Sequence, residues 1–281
     1  MPHYFRTKNK GLLNWLSNFT DWIPGQYYVR ALVDDKLIPL PISLSTISML
    51  KGKVYNEKEF IEYLESQRVN YRNPKNSEEQ CLSRVGKELY DLLFKGYTLK
   101  QWDCHPRDLS PSITARIPLR YNWDEKYLNA EYQVMPKNGY AMMMKNILDH
   151  DNICVQTNAE AEPNYIKNNR KNYTATIYTG QLDLFFDYIF GKLDYRSLRF
   201  DYKNYKMNYK QPCVQINYPN DFSYTRSVEI KHVTGQVSSS TTIAYEYPET
   251  DGDPFYPIIN SKNDIILKKY NKQVHELKNL E

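Results

Sequence analysis

Residues 95–120 bring together side chains that could bind a nucleotide and its diphosphate within one short connection. Tyr97 and Trp102 have flat aromatic faces, and Arg116 has a planar guanidinium that can bind two phosphate oxygens at once. Aromatic faces stack on bases, while a guanidinium neutralises phosphate charge. These residue types at this spacing therefore indicate a site for a base-containing, phosphorylated ligand.

The elements on either side must position this stretch. Residues 77–80 (Ser-Glu-Glu-Gln) predict a capping box that opens a helix, and Gly96 is expected to end that helix. Tyr97 would then lie just past the helix end. Three prolines keep the following residues from forming one long helix. The stretch is therefore predicted to be a loop that carries function.

Local patterns predict helices and strands along the rest of the chain. Helices are expected at residues 8–19, from Asn56 onwards, at 139–148 and at 261–281. Strands are expected in a hairpin over 26–40 that turns at Asp34-Asp35, and at 153–155, 174–178, 213–218, 227–232 and 241–247.

The stretch around Tyr97 contains a long motif with rare residues. It has G-Y-T at 96–98, K-Q-W at 100–102 and R-I-P-x-R at 116–120. This combination resembles the UDP-galactopyranose mutases, flavoenzymes that interconvert the pyranose and furanose forms of UDP-galactose. Similar matches, such as M-P-H-Y-F-R-T at 1–7 and Y-T-R at 224–226, extend the resemblance over nearly the whole chain.

The resemblance implies a reaction performed by reduced FAD, for the synthesis of glycans that contain galactofuranose. N5 of the flavin attacks the anomeric carbon and displaces UDP, which forms a flavin-sugar adduct. The sugar then opens and recloses as the smaller ring. Because the cofactor carries out the chemistry, the protein is expected to position the substrate and screen the charge of the departing diphosphate.

The resemblance also implies roles for individual residues. Arg116 and Arg226 match the family's diphosphate pair, and His3 matches the histidine beside the flavin ring, so these three are the expected catalytic residues and His3 the cofactor contact. The implied substrate-binding residues are Tyr97, Trp102, Arg116, Tyr127, Asn217, Arg226 and Tyr256. The alternatives are core packing for the aromatic residues and an ordinary surface ion pair for each arginine. Asn217 and Glu246 match positions near the substrate, and strand hydrogen bonding is equally open for both.

The glycine fingerprint that binds the FAD pyrophosphate is not found in the 281 residues. None of the ten glycines lies two positions from another, as G-x-G-x-x-G requires. The expected fold class is α+β, an α/β flavoenzyme without its N-terminal dinucleotide-binding unit. Four segments are predicted: a remnant of the FAD-binding and sheet region (1–52), a helical substrate-binding domain (53–150), a mainly antiparallel sheet domain (151–260) and a shortened C-terminal helix (261–281).

Composition argues against several other classes. Lys and Arg number 37 against 33 Asp and Glu, a net charge of +4 that lacks the excess of a nucleic-acid-binding protein. The four cysteines form no C-x-x-C pair and the histidines show no ligand spacing, so no metal site is expected. Reduced thiols favour a cytoplasmic location. Since no apolar stretch is long enough, no membrane segment is expected.

Two functions stay open at this point. In the first, the chain is a mutase family member whose full enzyme provides the FAD, so that it is a fragment, a truncated reading frame or half of a split enzyme, with another chain supplying the FAD-binding half. In the second, it is a non-catalytic UDP-sugar-binding fragment. FAD uptake with turnover would favour the first, and UDP binding without flavin the second. A homodimer is also open.

Overall fold

The fold is given by a computed structural model that describes residues 3–116 and 118–278. Met1 and Pro2 of the N-terminal motif, Ile117 of the R-I-P motif and the last three residues of the predicted C-terminal helix lie outside the described residues.

Strands from both halves of the chain build one large sheet. The strands are β1 (Phe5–Thr7), β2 (Trp22–Pro24), β3 (Val29–Val33), β4 (Lys36–Leu40), β5 (Tyr132–Pro136), β6 (Tyr195–Tyr205), β7 (Gln215–Asn217), β8 (Arg226–Glu229), β9 (Thr241–Glu249) and β10 (Tyr256–Pro257). The large sheet has the order β10-β6-β9-β8-β7-β3-β4, and β1-β5-β2 form a small one. Only the β3–β7 pair is parallel among the described strands.

Helices fill the intervals between the strands. They are α1 (Lys10–Leu16), α2 (Leu44–Lys51), α3 (Glu57–Gln67), α4 (Ser77–Leu89), α5 (Gly96–Trp102), α6 (Ser112–Ala115), α7 (Gly139–Leu148), α8 (Pro163–Asn169), α9 (Leu182–Phe185), α10 (Lys231–Thr234) and α11 (Ser261–Lys278). A π-helical turn over Tyr90–Lys95 joins α4 to α5, and short 3-10 turns lie at Pro106–Asp108 and Arg170–Asn172.

The predicted hairpin is confirmed and forms one edge of the large sheet. Asp34 and Asp35 both adopt positive φ, at 47° and 60°, which a two-residue turn between antiparallel strands requires. Val29 and Ala31 are fully buried on β3, since alternate residues point to the same face. The hairpin therefore presents an apolar face to the helices.

Helix α3 shows why the helical region packs on this face. The Asn56 side chain caps the helix by accepting a hydrogen bond from the Glu59 N–H at 3.0 Å. In turn, the Glu59 carboxylate accepts a hydrogen bond from the Asn56 N–H at 2.9 Å. Phe60 and Leu64 lie one helical turn apart and are fully buried. They join the main core between the hairpin and helices α2–α4.

The predicted boundaries of the helix before Tyr97 are wrong at both ends. Asn76, not Ser77, is the N-cap, because its side chain accepts from the Glu79 N–H at 2.9 Å. Gly96 does not end the helix but opens α5. It is required by close packing, since an added Cβ would lie 2.5 Å from the carbonyl oxygen of Pro219. Tyr97 therefore lies on a helix rather than in a loop.

Two predicted strands do not form among the described residues. Residues 153–155 and 174–178 have no regular structure and are almost wholly exposed. The strand predicted at 227–232 also ends earlier, at Glu229, and α10 follows. The other predicted strands and helix α7 are present, with bounds that agree exactly or shift by a few residues. The four-segment division of the chain stays a prediction.

We expect Gly96→Ala to lower the free energy of unfolding by roughly 1–3 kcal/mol, because the new methyl group must displace backbone at Pro219. Urea unfolding followed by circular dichroism measures the change. Gly11→Ala is the matched control, because its Cβ would meet only the exposed Asn9 side chain, at 3.2 Å. Equal stability of the Gly96→Ala variant and the native chain would contradict the close approach.

Candidate functional site

Arg226 and Glu246 form a buried ion pair in the middle of the large sheet. They lie opposite each other on the antiparallel strands β8 and β9. Arg226 Nε is 3.0 Å from Glu246 Oε2, and the two side chains are 13% and 1% exposed. The N–H is not aligned on the oxygen, so this contact is an ion pair and not a hydrogen bond.

Helix α5 places a second polar group against the arginine. The Oε1 of Gln101 accepts a hydrogen bond from Nη2 of Arg226 at 3.3 Å. Gln101 is four residues beyond Tyr97, so both side chains lie on the same face of α5. That face is turned towards β8, which explains how residues more than a hundred positions apart in sequence meet in one site.

Polar atoms around the ion pair are buried without a hydrogen-bond partner among the described residues. They are both carboxylate oxygens of Glu246, Nε2 of Gln101 and the hydroxyl of Tyr256. Buried polar atoms are normally hydrogen-bonded, and leaving one unpaired costs about 1–3 kcal/mol. The group has acceptors on Glu246 and donors on Gln101 and Tyr256. It therefore suits a ligand that carries both hydroxyl groups and anionic oxygens.

Four tyrosines lie near the charge of Arg226. Burial raises the pKa of Tyr27, Tyr97, Tyr127 and Tyr256, the last to about 12, and the positive charge of Arg226 acts against burial in each. All four therefore lie within electrostatic range of this one charge. Because they stay neutral hydroxyls, they can donate hydrogen bonds to an anion.

Arg116 lies within electrostatic range of two of the same tyrosines. It follows α6 directly and its side chain is exposed. Its charge lowers the pKa of both Tyr97 and Tyr127, in opposition to burial. The structure therefore brings the two predicted diphosphate-binding arginines to one cluster of tyrosines, although 110 positions separate them in sequence.

His3 lies near the carboxylate of Glu246. Burial raises the pKa of Glu246, while Arg226 and His3 are among the groups that lower it. The carbonyl oxygen of His3 accepts a hydrogen bond from the Tyr140 hydroxyl at 2.6 Å, which ties the start of the chain to α7. The residue predicted to contact the flavin is thus within electrostatic range of the same carboxylate as Arg226.

Asn217 belongs to the wall of the site. It pairs with Arg226 across β7 and β8. Its Oδ1 accepts from Nε2 of Gln215 at 2.7 Å, and Oε1 of Gln215 accepts from the Tyr27 hydroxyl at 2.5 Å. This chain of hydrogen bonds holds Asn217 and Tyr27 in fixed positions beside the arginine.

Trp102 packs beside the site, against Tyr256. It is 7% exposed and packs in a small core with Leu109 and Ile113. Its ring meets Tyr256 edge to face, with centroids 5.3 Å apart. Among the described residues, Trp102 packs against Tyr256 and the small core. Its predicted contact with substrate stays a prediction.

The prediction of site residues omitted Gln101 and Tyr27. Gln101 is in the K-Q-W motif, and its helical spacing from Tyr97 would have identified it if the helix had not been expected to end at Gly96. Tyr27 comes just before β3 and carries no comparable signal. Glu246 was considered for strand hydrogen bonding or substrate contact, and the structure places it in the ion pair.

Within residues 3–116 and 118–278, no cluster of His, Cys, Asp and Glu could bind a metal ion. The same residues include no helix with the length and apolarity to span a membrane.

The fold is similar to that of a solved nucleotide-sugar enzyme. A crystal structure of reduced UDP-galactopyranose mutase superposes with a TM-score of 0.61 at 13% identity, and the match covers 91% of this chain and 64% of that one. At this identity the likeness shows the fold, and it confirms the predicted α+β class.

Sequence comparison identifies the family. The family model of UDP-galactopyranose mutase matches residues 92–281. A probable UDP-galactopyranose mutase of Klebsiella pneumoniae is 35% identical over 99% of the chain, and a dTDP-fucopyranose mutase of Escherichia coli is 29% identical over 99%. The chain therefore belongs to the UDP-galactopyranose mutase family, which is a family of isomerases. It spans 73% and 76% of the length of these two relatives and 64% of the solved chain.

The side chain of Lys100 connects α5 to the loop that precedes Arg226 by hydrogen bonds. Its ammonium donates hydrogen bonds to the carbonyl oxygens of Tyr218, of Phe222 at 2.7 Å and of Tyr224 at 3.3 Å. Because three carbonyls of one loop share one cation, this side chain fixes the loop against the helix that carries Tyr97.

We expect Lys100→Met to lower the free energy of unfolding by about 2 kcal/mol, since it removes charged hydrogen bonds to carbonyl groups that stay partly buried. Urea unfolding measures the loss. Lys87→Met is the control, because Lys87 forms only an exposed ion pair with Asp91, worth at most about 0.5 kcal/mol. Similar losses in the two variants would contradict the assigned role of Lys100.

Proposed function

We propose that the chain binds UDP-galactose at the Arg226 cluster and acts in the interconversion of its pyranose and furanose forms. The observation that carries the proposal is the set of buried polar atoms around the ion pair that find no partner among the described residues. A nucleotide sugar supplies what they need: hydroxyl groups that donate to Glu246, and diphosphate oxygens that accept from Gln101 and Tyr256.

In this proposal the two arginines bind the diphosphate. Arg226 is held from behind by Glu246 and Gln101, so its guanidinium is oriented before the ligand arrives. Arg116 is exposed and contributes a second positive charge. When the bond between sugar and diphosphate breaks, negative charge grows on the leaving oxygen, and fixed cations stabilise it without reorganisation. Tyr97 and Tyr127 then bind the uridine end or the phosphates.

FAD is the cofactor that family membership suggests, and it supplies the electrons that bond to the anomeric carbon. The chain fits this group only in part. His3 reaches Glu246, and so could contact a flavin ring beside the sugar, but no G-x-G-x-x-G turn for the pyrophosphate occurs in the 281 residues. We therefore derive no catalytic step through FAD. A second polypeptide that carries the FAD-binding half, a homodimer and a cytoplasmic location are parts of the same proposal.

A second candidate is nucleotide-sugar binding without turnover, because the Arg226 cluster offers polar groups to a diphosphate without the help of a flavin. The visible absorption spectrum after addition of FAD and dithionite, with UDP-galactose turnover followed in the same sample, separates the two. Flavin uptake with furanose product supports the mutase. Saturable UDP binding without flavin supports the binding protein. Because the Escherichia coli relative is named a dTDP-fucopyranose mutase, dTDP is titrated alongside UDP.

We expect Arg226→Ala and Arg116→Ala each to weaken UDP binding about tenfold or more, because each removes a charge-assisted contact to the diphosphate. Isothermal titration calorimetry measures both. Arg226→Ala leaves a buried carboxylate unpaired and is expected to destabilise the fold, whereas Arg116 is exposed and its removal tests binding alone.

The matched control is Arg199→Ala, which removes an exposed arginine of β6 that pairs with Glu249 on the neighbouring strand β9. Its UDP affinity should equal that of the native chain. Native affinity in folded Arg116→Ala and Arg226→Ala would exclude this cluster as the diphosphate site.

A further inference from the structure

Three hydrogen-bonded side chains, the Tyr27–Gln215–Asn217 network, cross the wall of the site beside Arg226. The Tyr27 hydroxyl donates to Oε1 of Gln215 at 2.5 Å, and Nε2 of Gln215 donates to Oδ1 of Asn217 at 2.7 Å. Gln215 and Asn217 are two residues apart on β7, so both point to the same face of the sheet. Asn217 lies directly opposite Arg226 on β8. The network therefore ends beside the arginine proposed to bind the diphosphate.

The hydrogen bonds of this network have a defined direction. All three side chains are buried. Burial raises the pKa of Tyr27, so its hydroxyl keeps the proton that it donates. A glutamine amide can turn by 180° with little change of shape, so its partners decide which end faces which way. Here the phenol donor selects the oxygen end of Gln215, and the nitrogen end faces Asn217.

The reverse orientation of Gln215 would leave a buried donor unsatisfied. After a turn of the amide, Nε2 would donate to the phenol oxygen of Tyr27, and the phenol O–H would lose the acceptor that it has in the structure. Leaving a buried polar group unpaired costs more than one hydrogen bond contributes. In the observed orientation, the buried polar atoms without a partner among the described residues include none of Tyr27, Gln215 or Asn217. The Tyr27 hydroxyl therefore holds Gln215 in one orientation.

This orientation decides what Asn217 can offer to a ligand. Its Oδ1 faces Gln215, so the end of the amide that remains for a ligand is Nδ2, which can only donate. N–H groups bind anionic oxygens, whereas a carbonyl oxygen in the same place would repel them. Asn217, Arg226 and Glu246 occupy one row across β7, β8 and β9. The row thus changes from donors at Asn217 and Arg226 to acceptors at Glu246.

The hydroxyl of Tyr27 is already used within the network. A phenol has one O–H, and Tyr27 donates it to Gln215. In this respect Tyr27 differs from Tyr256, whose buried hydroxyl has no hydrogen-bond partner among the described residues. The effect of the Tyr27 hydroxyl on a ligand is therefore expected to pass through Gln215 and Asn217, without direct contact.

We propose that Tyr27 is a positioning residue for nucleotide-sugar binding, which acts through Gln215 to hold the Asn217 amide with its N–H groups, and not its oxygen, towards the diphosphate. The inference rests on the proposed function, because the diphosphate is the anion that these N–H groups would bind. It deepens that function by assigning the orientation of a binding group to a residue that does not contact the ligand.

A double-mutant cycle on UDP binding tests the proposal. We expect Tyr27→Phe to weaken UDP binding about fivefold in the native chain, because both orientations of Gln215 and Asn217 then become accessible. In the Asn217→Ala background the same change should alter the affinity by less than about twofold. Isothermal titration calorimetry measures the four affinities. Equal losses in the two backgrounds, or native affinity in Tyr27→Phe, would overturn the proposal.

Tyr4→Phe is the matched control. Tyr4 is buried, and its ring packs edge to face on Tyr27 with centroids 6.0 Å apart, but the hydroxyl that Gln215 accepts from is that of Tyr27. The variant removes a neighbouring tyrosine hydroxyl and keeps the network, so its UDP affinity should equal that of the native chain. A fivefold loss in Tyr4→Phe as well would indicate a packing effect and overturn the assignment.

A measurement without ligand separates this proposal from the proposed function. In ¹H–¹⁵N spectra of the full chain, Tyr27→Phe should shift the side-chain amide signals of Asn217, and Tyr4→Phe should leave them in place. Unchanged Asn217 signals in Tyr27→Phe would overturn the proposal. Shifted signals, together with native UDP affinity in folded Arg116→Ala and Arg226→Ala, would contradict the proposed function and support the orientation of Asn217 by Tyr27.

Discussion

The buried ion pair between Arg226 and Glu246 is the interaction on which the site depends. Removing two charges from water costs several kcal/mol for each ion, and mutual attraction offsets this only when other groups satisfy the remaining polar atoms. Here the pair sits at one register position of β8 and β9, and Gln101 adds one hydrogen bond. The carboxylate oxygens of Glu246 still accept none from the described residues. The carboxylate of Glu246 is therefore incompletely satisfied by the described residues, which is the arrangement expected of a binding site and not of a structural pair.

Helix α5 links this pair to the rest of the molecule. Tyr97 and Gln101 use one face of the helix for the site, and Lys100 binds the loop that leads into β8. Trp102, the last residue of the helix, packs its ring against Tyr256. The helix can lie this close to the loop only because Gly96 has no side chain where Pro219 passes. One helix of seven residues thus sets the positions of groups from three separate parts of the chain.

Features fixed by local interactions were predictable from sequence, and features fixed by tertiary contact were not. The Asp34-Asp35 turn and the Asn56 cap depend on neighbouring residues, and both are confirmed. The sequence predicts a helix stop at Gly96, because glycine often adopts positive φ just past a helix end. Its actual role depends on a loop more than a hundred residues away. For the site, the resemblance supplied Arg116 and Arg226, whereas Gln101 was missed because the helix was expected to end before it.

The two segments at 153–155 and 174–178 show the other limit of local prediction. Strand propensity describes how well a residue fits a pleated, paired surface, so it becomes structure only when a neighbouring strand is present. These segments share one property with the region around Arg226. The segments have apolar side chains that the described residues leave exposed, and the Arg226 region has buried polar atoms to which the described residues give no hydrogen bond. They differ in exposure, because Arg226 and Glu246 are 13% and 1% exposed, whereas Ile153, Val155 and Ile177 are 43%, 53% and 88% exposed. The ion pair, its hydrogen bond to Gln101 and the position of α5 depend on contacts that do not involve either segment.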